Sequence, residues 1–385
     1  MPSTRMLVAG LGALSVVPFA FVFDILRTMG AFRTIQLTGT RDCITVPELK
    51  ACEDLWLHQP TGLVYLACSP RPRYRQDWLN WDVQDRPGPD FYDYFATYDQ
   101  STGAVTRLEV SGKGFDASRT VSLHGMDIVP SKDDPQLLYV YVVNHRLKDV
   151  ADAGTDSVID VFKTRLGSNK LEHLRTFRDP AVIIAPNNVV GSPDGKSFYF
   201  TNSEEKQVSW RRALPRAWVL FRATSTIGFC HLDHGCSFVA RDMHGNNGIA
   251  RVPGNDTIYV ASQGKPYITV LTPREDNTLT IVGKIHTGLP MDNLSIDKNG
   301  AIWAAAFPRS MSMVDCMADP TTKTLSPSTV LKVTRRNASD EYNVEKVFED
   351  DGSLVTTMTV AVHDAERGRL FMHGVLSEWL TVCKL

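Results

Sequence analysis

The sequence predicts an all-β protein, a six-bladed β-propeller, on three observations. Helical periodicity is absent beyond the N-terminus. Short runs rich in aromatic and β-branched residues recur, among them LLYVYVV, SFYFTN, TIYVAS and AIWAAA. These runs also belong to a repeat: an apolar stretch, a Pro/Asp/Gly turn, then the strand. The copies are LWLHQPTGLVYLAC from Leu55, IVPSKDDPQLLYVYVV from Ile128, VVGSPDGKSFYFTN from Val189, IARVPGNDTIYVAS from Ile249, LSIDKNGAIWAAA from Leu294 and VAVHDAERGRLFMHG from Val360. They begin about 45 to 75 residues apart, the spacing of propeller blades with variable outer strands. Six copies in one chain of 385 residues favour a single ring over two or three smaller domains.

A propeller must close, so its first and last elements have to meet. Cys43 lies where the folded part begins and Cys383 is third from the end. A disulfide between them would lock the ring, and closing a loop that long is worth on the order of 4–5 kcal/mol in the chain-entropy picture. Cys230 and Cys236 bracket the short loop FCHLDHGC, and the count of seven cysteines leaves at least one outside any pair. Paired cysteines fit an oxidising compartment. The sequons at Asn255 (NDT) and Asn337 (NAS) are glycosylation sites that a secretory chain could use.

The N-terminus differs from the rest. Met6 to Phe23 reads MLVAGLGALSVVPFAFVF, without charge, preceded by Arg5 and followed by Asp24 and Arg27. Its length falls between a signal-peptide core and a short membrane span. No clear small-x-small cleavage site follows, so residues 1–27 read as a hydrophobic helix acting as signal-anchor or signal. Residues 43–385 form the propeller domain. This places the chain in the secretory pathway, secreted or membrane-anchored; a buried core helix is the plainer alternative. A net charge of −2 with no basic stripe gives nucleic-acid binding no electrostatic support.

Just upstream of each repeat stands a polar position. Asp54 precedes Pro60 by six residues, as His124 does Pro130, Asn187 does Pro193 and Asn247 does Pro253. Asp292 and Asn293 hold the matching place before Lys298, and Met358 and Thr359 hold it in the sixth repeat. One position therefore carries Glu53-Asp54, His124, Asn187-Asn188, Asn247 and Asp292-Asn293. Equivalent positions in successive blades converge on the mouth of the central tunnel. Carboxylate and amide oxygens in that number suit a hard cation such as calcium. Zinc would call for His and Cys at closer spacing. Without a cation, carboxylates so close would need raised pKa values. Each Asn or Asp alone reads as a turn former, as do the dipeptides HG, NG and DN. The register shared by five repeats favours a site. Two weaker signals fall away. GSPDGKS is one residue short of a P-loop and has no helix after it, and Pro70–Asp82 reads as a loop at the tunnel mouth rather than a nucleic-acid patch.

The stretches CEDLWL, SLHGMDI, YVVNH, APNNVV, GNNGI, LPMDNLSID and the terminal TVCKL, in that order, resemble the serum paraoxonase/arylesterase family from about Cys43 to Cys383. The resemblance implies a calcium-dependent carboxylic ester hydrolase acting on small lactones and aryl esters. It implies a catalytic calcium held by Glu53, Asn187, Asn247, Asp292 and Asn293. A second, structural calcium would lie deeper, on Asp54, the backbone carbonyl of Met126 and residue 188. His124 and His145 match the family's proposed histidine dyad, with Asp292 or Glu53 as the alternative base. Two departures stand out. Asn188 replaces an Asp, which removes one charge from the deeper site, and Phe307 stands near a family His, which removes a polar wall.

Two other functions compete. A gluconolactonase-like or strictosidine-synthase-like propeller enzyme would have a different ligand set, and a non-enzymatic binding propeller would need no polar ring in its tunnel. A serine hydrolase is disfavoured because no G-x-S-x-G elbow occurs.

Overall fold

Each repeat folds as an antiparallel sheet, and the computed structural model sets six such sheets around one axis. The structure describes residues 22–72, 92–112, 115, 121–147, 155–203, 223–319, 321, 323–336 and 341–385; most of the Met6–Phe23 run, most of the Pro70–Asp82 loop, and Asn337 lie outside them. Among the described residues the inner strands of the six blades are Asp54–His58, Leu123–Pro130, Pro186–Gly191, Asn246–Arg251, Met291–Ile296 and Met358–Asp364. Each pairs with the strand that follows it, such as Leu63–Cys68 in blade 1 and Leu137–Leu147 in blade 2. Blade 2 gains a fifth strand, Glu109–Ser111, which pairs in parallel with Lys170–Phe177.

The repeat's turn has one physical basis throughout. A side-chain oxygen at the turn accepts the backbone N–H two residues on: Asp134 from Gln136, Asp194 from Lys196, Asn255 from Thr257, Asp297 from Asn299 and Asp364 from Glu366. Such Asx turns reverse the chain without needing a partner from elsewhere. In blade 1 Thr61 does the same for Leu63. Asn255 is exposed, as its sequon requires, on the face that carries these turns.

The apolar cores lie between blades. Val64 and Leu66 pack with Val360 and Phe371 across blades 1 and 6, and Tyr141 meets Phe198 and Phe200 across blades 2 and 3. Blade-to-blade burial of this kind leaves the axis itself unfilled, available for polar side chains.

Blade 6 is made from both ends of the chain. Its outer strand, Cys43–Val46, pairs antiparallel with Leu380–Lys384, and Cys43 faces Cys383, to which it is disulfide-bonded. Two further disulfides join Cys52 to Cys68 and Cys230 to Cys236. The second of these closes the hairpin between Ser225–His231 and Gly235–Met243. Cys316 stands outside the disulfides, its thiol hydrogen-bonded to the carbonyl of Thr324. It lies on the helix Ser310–Ala318, which the sequence pattern did not announce.

The described part of the N-terminal segment is helical over 22–28 and largely exposed, and the residues just after it dock beside blade 5, where Ser310 N–H donates to the Met29 carbonyl. The Arg33 guanidinium donates to the carbonyls of Pro308 and Gly288, and Arg309 donates back to the Arg33 carbonyl. Gly30 takes φ +75°, and a Cβ there would strike the Pro308 carbonyl oxygen at 1.8 Å, so only glycine fits. No helix among the described residues is long and apolar enough to cross a membrane.

Replacing Cys43 and Cys383 together by serine is expected to lower unfolding stability by on the order of 5 kcal/mol, and replacing Cys230 and Cys236 by about half that, because the enclosed loop is much shorter. Denaturant midpoints under non-reducing conditions measure both.

Candidate active site

Adjacent residues of a strand point to opposite faces, so a pair such as Asn187-Asn188 should not both reach the tunnel. A repeated bulge resolves this. The pairing register shifts between Leu123 and Met126, Pro186 and Val189, Asn246 and Ile249, Met291 and Leu294, and Met358 and Val360. A bulge re-aims side chains at the point where it occurs, and here it occurs at one level in five blades. Gly125 and Gly248, which follow His124 and Asn247, are not turn glycines. A Cβ on Gly125 would lie 2.5 Å from the Asn187 carbonyl oxygen, and one on Gly248 would lie 2.4 Å from the Asn293 Cα. They let neighbouring inner strands approach.

The expected residues come together. Glu53, Asp54, His124, Asn187, Asn188, Asn247, Asp292 and Asn293 are all buried. Glu53 Oε1 accepts from Asn293 Nδ2 at 3.0 Å and lies 3.5 Å from His124 Nε2. Asn187 Nδ2 is 3.5 Å from the same histidine nitrogen. Asn247 is positioned from below, its carbonyl accepting from Thr201 Oγ1 at 2.6 Å, and its Nδ2 donates to Gln263. Thr359 of blade 6 donates to the Glu53 carbonyl. Burial raises the Asp292 carboxyl well above the usual range, and the nearby Asp54 adds to it. Asp54 is pushed up to about 7, burial outweighing hydrogen bonds from Met126, Leu55 and Asn188.

His124 and His145 form the expected pair. His124 Nδ1 is 3.0 Å from His145 Nε2, and the rings meet edge to face. His145 Nδ1 is 2.8 Å from Ser157 Oγ, which is 3.0 Å from Thr155 Oγ1. Sequence reasoning missed Ser157 and Thr155. The signal lay in the hairpin register, which sets His145 directly across from Ser157. It also missed the Cys52–Cys68 disulfide, whose first cysteine immediately precedes Glu53. Phe307 is buried in an apolar cluster with Met313, Cys316, Val375 and Leu376.

Among the described residues no three His, Cys, Asp or Glu side chains form a metal cage. The upper part of the ring nonetheless fits a hard cation. The Asn187 and Asn247 amide oxygens are buried without a hydrogen-bond partner among the described residues. They share the site with the Asp292 and Glu53 carboxylates, and buried oxygens left unmatched in this way are costly unless something accepts their lone pairs. The deeper position does not fit. The Met126 N–H donates to Asp54 Oδ2 at 2.8 Å, and Asn188 Nδ2 donates to the same oxygen at 3.0 Å, so the side chains meant to share an ion there hydrogen-bond to each other instead. Behind the ring a cavity of about 430 Å³ runs to the turn face, past Asp54, Asp127, Ile249, Leu294 and Arg251. Burial raises Asp127 to about 6.

A six-bladed propeller with a buried ring of carboxylates and amides across its tunnel, and a histidine pair beside it, defines a class of tunnel-site propellers. Residues 84–385 match the family model described as Arylesterase, and the chain belongs to that family. It is 24% identical to serum paraoxonase/lactonase 3 of Oryctolagus cuniculus over 343 residues, 87% of each chain. It is 25% identical to serum paraoxonase/arylesterase 2 of Gallus gallus over 343 residues, 88% of each chain. Among solved structures a gluconolactonase from Xanthomonas campestris shares the fold, with a TM-score of 0.50 at 14% identity, covering 92% of this chain and 99% of that one.

The raised Asp54 predicts a pH dependence with a definite sign. An unfolded aspartate titrates near about 3.9, whereas the folded group titrates at about 7. The folded state therefore holds the extra proton between those values, and its stability contribution fades as pH rises through the interval. The denaturant midpoint of chelator-treated protein is expected to fall from about pH 4 to about pH 7, with a shallower fall in Asp54→Asn.

Proposed function

We propose that the protein is a calcium-dependent hydrolase of lactones and aryl esters working in the ring-side mouth of the tunnel. The observation that carries this reading is the pair of buried, unmatched amide oxygens of Asn187 and Asn247, beside Asp292 and Glu53 and within reach of a histidine dyad. Family membership supports it, as do relatives whose names denote lactonase and arylesterase. Glu53, Asn187, Asn247, Asp292 and Asn293 would hold the calcium, which when bound supplies Lewis-acid polarisation of the ester carbonyl and offsets the negative charge that develops on its oxygen.

The chain's own groups handle the proton. If His124 Nδ1–H donates to His145 Nε2, then His145 Nδ1–H donates to Ser157, and His124 Nε2 turns its lone pair toward the ring, 3.5 Å from Asn187 Nδ2. In that tautomer His124 takes a proton from the attacking water as oxygen bonds to the carbonyl carbon. The C–O bond to the leaving group then breaks, and the proton passes from His124 to the departing alkoxide or phenolate oxygen. His145 and Ser157 fix the ring orientation and the tautomer. Residues 187, 247 and 292 are held on bulged strands braced by neighbouring blades, so the constellation is rigid before substrate arrives. Three disulfides support placing the protein in the secretory pathway.

The test is hydrolysis of phenyl acetate and of five- and six-membered lactones by the purified full chain, with and without EGTA. Turnover should vanish with chelator and return with calcium. Asn247→Ala and Asp292→Ala should each lower kcat/KM by on the order of 10²-fold or more. A loss of about 10²–10⁴-fold in kcat for His124→Gln assigns the base to the histidine. Turnover indifferent to chelator, or none on any of these substrates, overturns the reading.

A further inference from the structure

The deep end of the ring is knitted by hydrogen bonds that run in one direction. Asp54 Oδ1 accepts the Leu55 N–H at 2.9 Å, and Oδ2 accepts from Met126 N–H at 2.8 Å and Asn188 Nδ2 at 3.0 Å. Asn188 Nδ2 also donates to Asn293 Oδ1 at 2.7 Å, and Asn293 Nδ2 donates on to Glu53 Oε1 at 3.0 Å. The orientation of the Asn188 amide is fixed independently, because its Oδ1 accepts the Val189 N–H at 2.7 Å. What the deep carboxylate meets from blades 2 and 3 is therefore N–H groups.

We infer that the tunnel has a single cation site, in the upper ring, and that in the deeper position the Asn188 amide stands where a cation would otherwise be needed, cross-linking blades 1, 2, 3 and 5 by hydrogen bonds alone. With Asp at 188, two buried carboxylates would lie about 3 Å apart, and such a pair cannot stay doubly ionised without a shared proton or a cation between them. With Asn, one of the two acceptors becomes a donor, and the pair closes on itself. A cation placed there would be repelled by the Met126 and Asn188 N–H dipoles already aimed at Asp54. Bonds that hold without metal also leave the blades joined when calcium is removed. The inference rests on the calcium reading above for the upper site, and on geometry alone for the deeper one.

The experiment is a calcium count on the purified full chain, by equilibrium dialysis with calcium and elemental analysis, beside thermal melting with and without EGTA. Wild type is expected to bind one calcium per chain and to lose less of its Tm in EGTA than Asn188→Asp does. Asn188→Asp should bind two and should melt several degrees lower once chelated. Asn188→Ala, which removes the cross-link without adding charge, should keep one calcium and melt lower with or without EGTA. Two ions in wild type, or no second ion in a folded Asn188→Asp, overturns the inference. If Asn188→Asp does not fold with calcium present, the wild-type count and the Asn188→Ala melt decide, and an unchanged melt overturns it. No ion in wild type but one in Asn188→Asp supports the deep cross-link while overturning the calcium reading of the upper ring. No ion in either overturns both.

Discussion

Everything in this molecule depends on the ring closing. The apolar clusters lie between neighbouring blades, so each blade has two apolar faces and neither is covered until a neighbour stands on both sides. The last gap is filled by Cys43–Val46 pairing with Leu380–Lys384 and by the covalent bond of Cys43 to Cys383. An open ring would expose the faces of blades 1 and 6, and the six inner strands would not meet at one axis. Closure is thus a condition for the polar ring as well as for stability, since Glu53 of blade 1 is held by Asn293 of blade 5 and by Thr359 of blade 6.

The axis is then given a chemistry by a small irregularity. A regular strand would offer one side chain per blade at each level. The bulge at the start of five inner strands departs from that alternation and crowds two levels of the tunnel with carboxylates and amides. Burying carboxylates there is costly, as the raised Asp54 and Asp292 show, and for Asp292 the nearby Asp54 adds to the cost. The two levels answer it differently. The deeper one satisfies its oxygens with N–H donors, while the upper one leaves the Asn187 and Asn247 oxygens without such partners among the described residues.

The architecture was legible because its signal is local. The turn that begins each second strand, an Asx turn in five blades and a threonine one in the first, is written by a side chain and an N–H two residues away, so it recurs in the sequence as it does in space. The ring residues were legible for a related reason, since a constant offset from that turn fixes their height along the axis. What was not legible depends on pairing. Ser157 becomes the partner of His145 only through the register of two long strands, and Cys68 meets Cys52 only because Ala67 sits opposite Asp54. The dipeptides at Gly125 and Gly248 suggest turns when read alone, and their close approach to the next strand exists only once the blades are assembled. The donation of the Met126 N–H to Asp54 likewise arises at the bulge and not from residue type.

The cavity behind the ring makes the tunnel two-sided. Asp54 lies at its inner end, and the turn residues Pro130, Pro193 and Pro253 line its outer end. What stands behind the deep carboxylate is therefore open volume rather than packed core, so the tunnel floor is held by hydrogen bonds between blades and not by apolar filling.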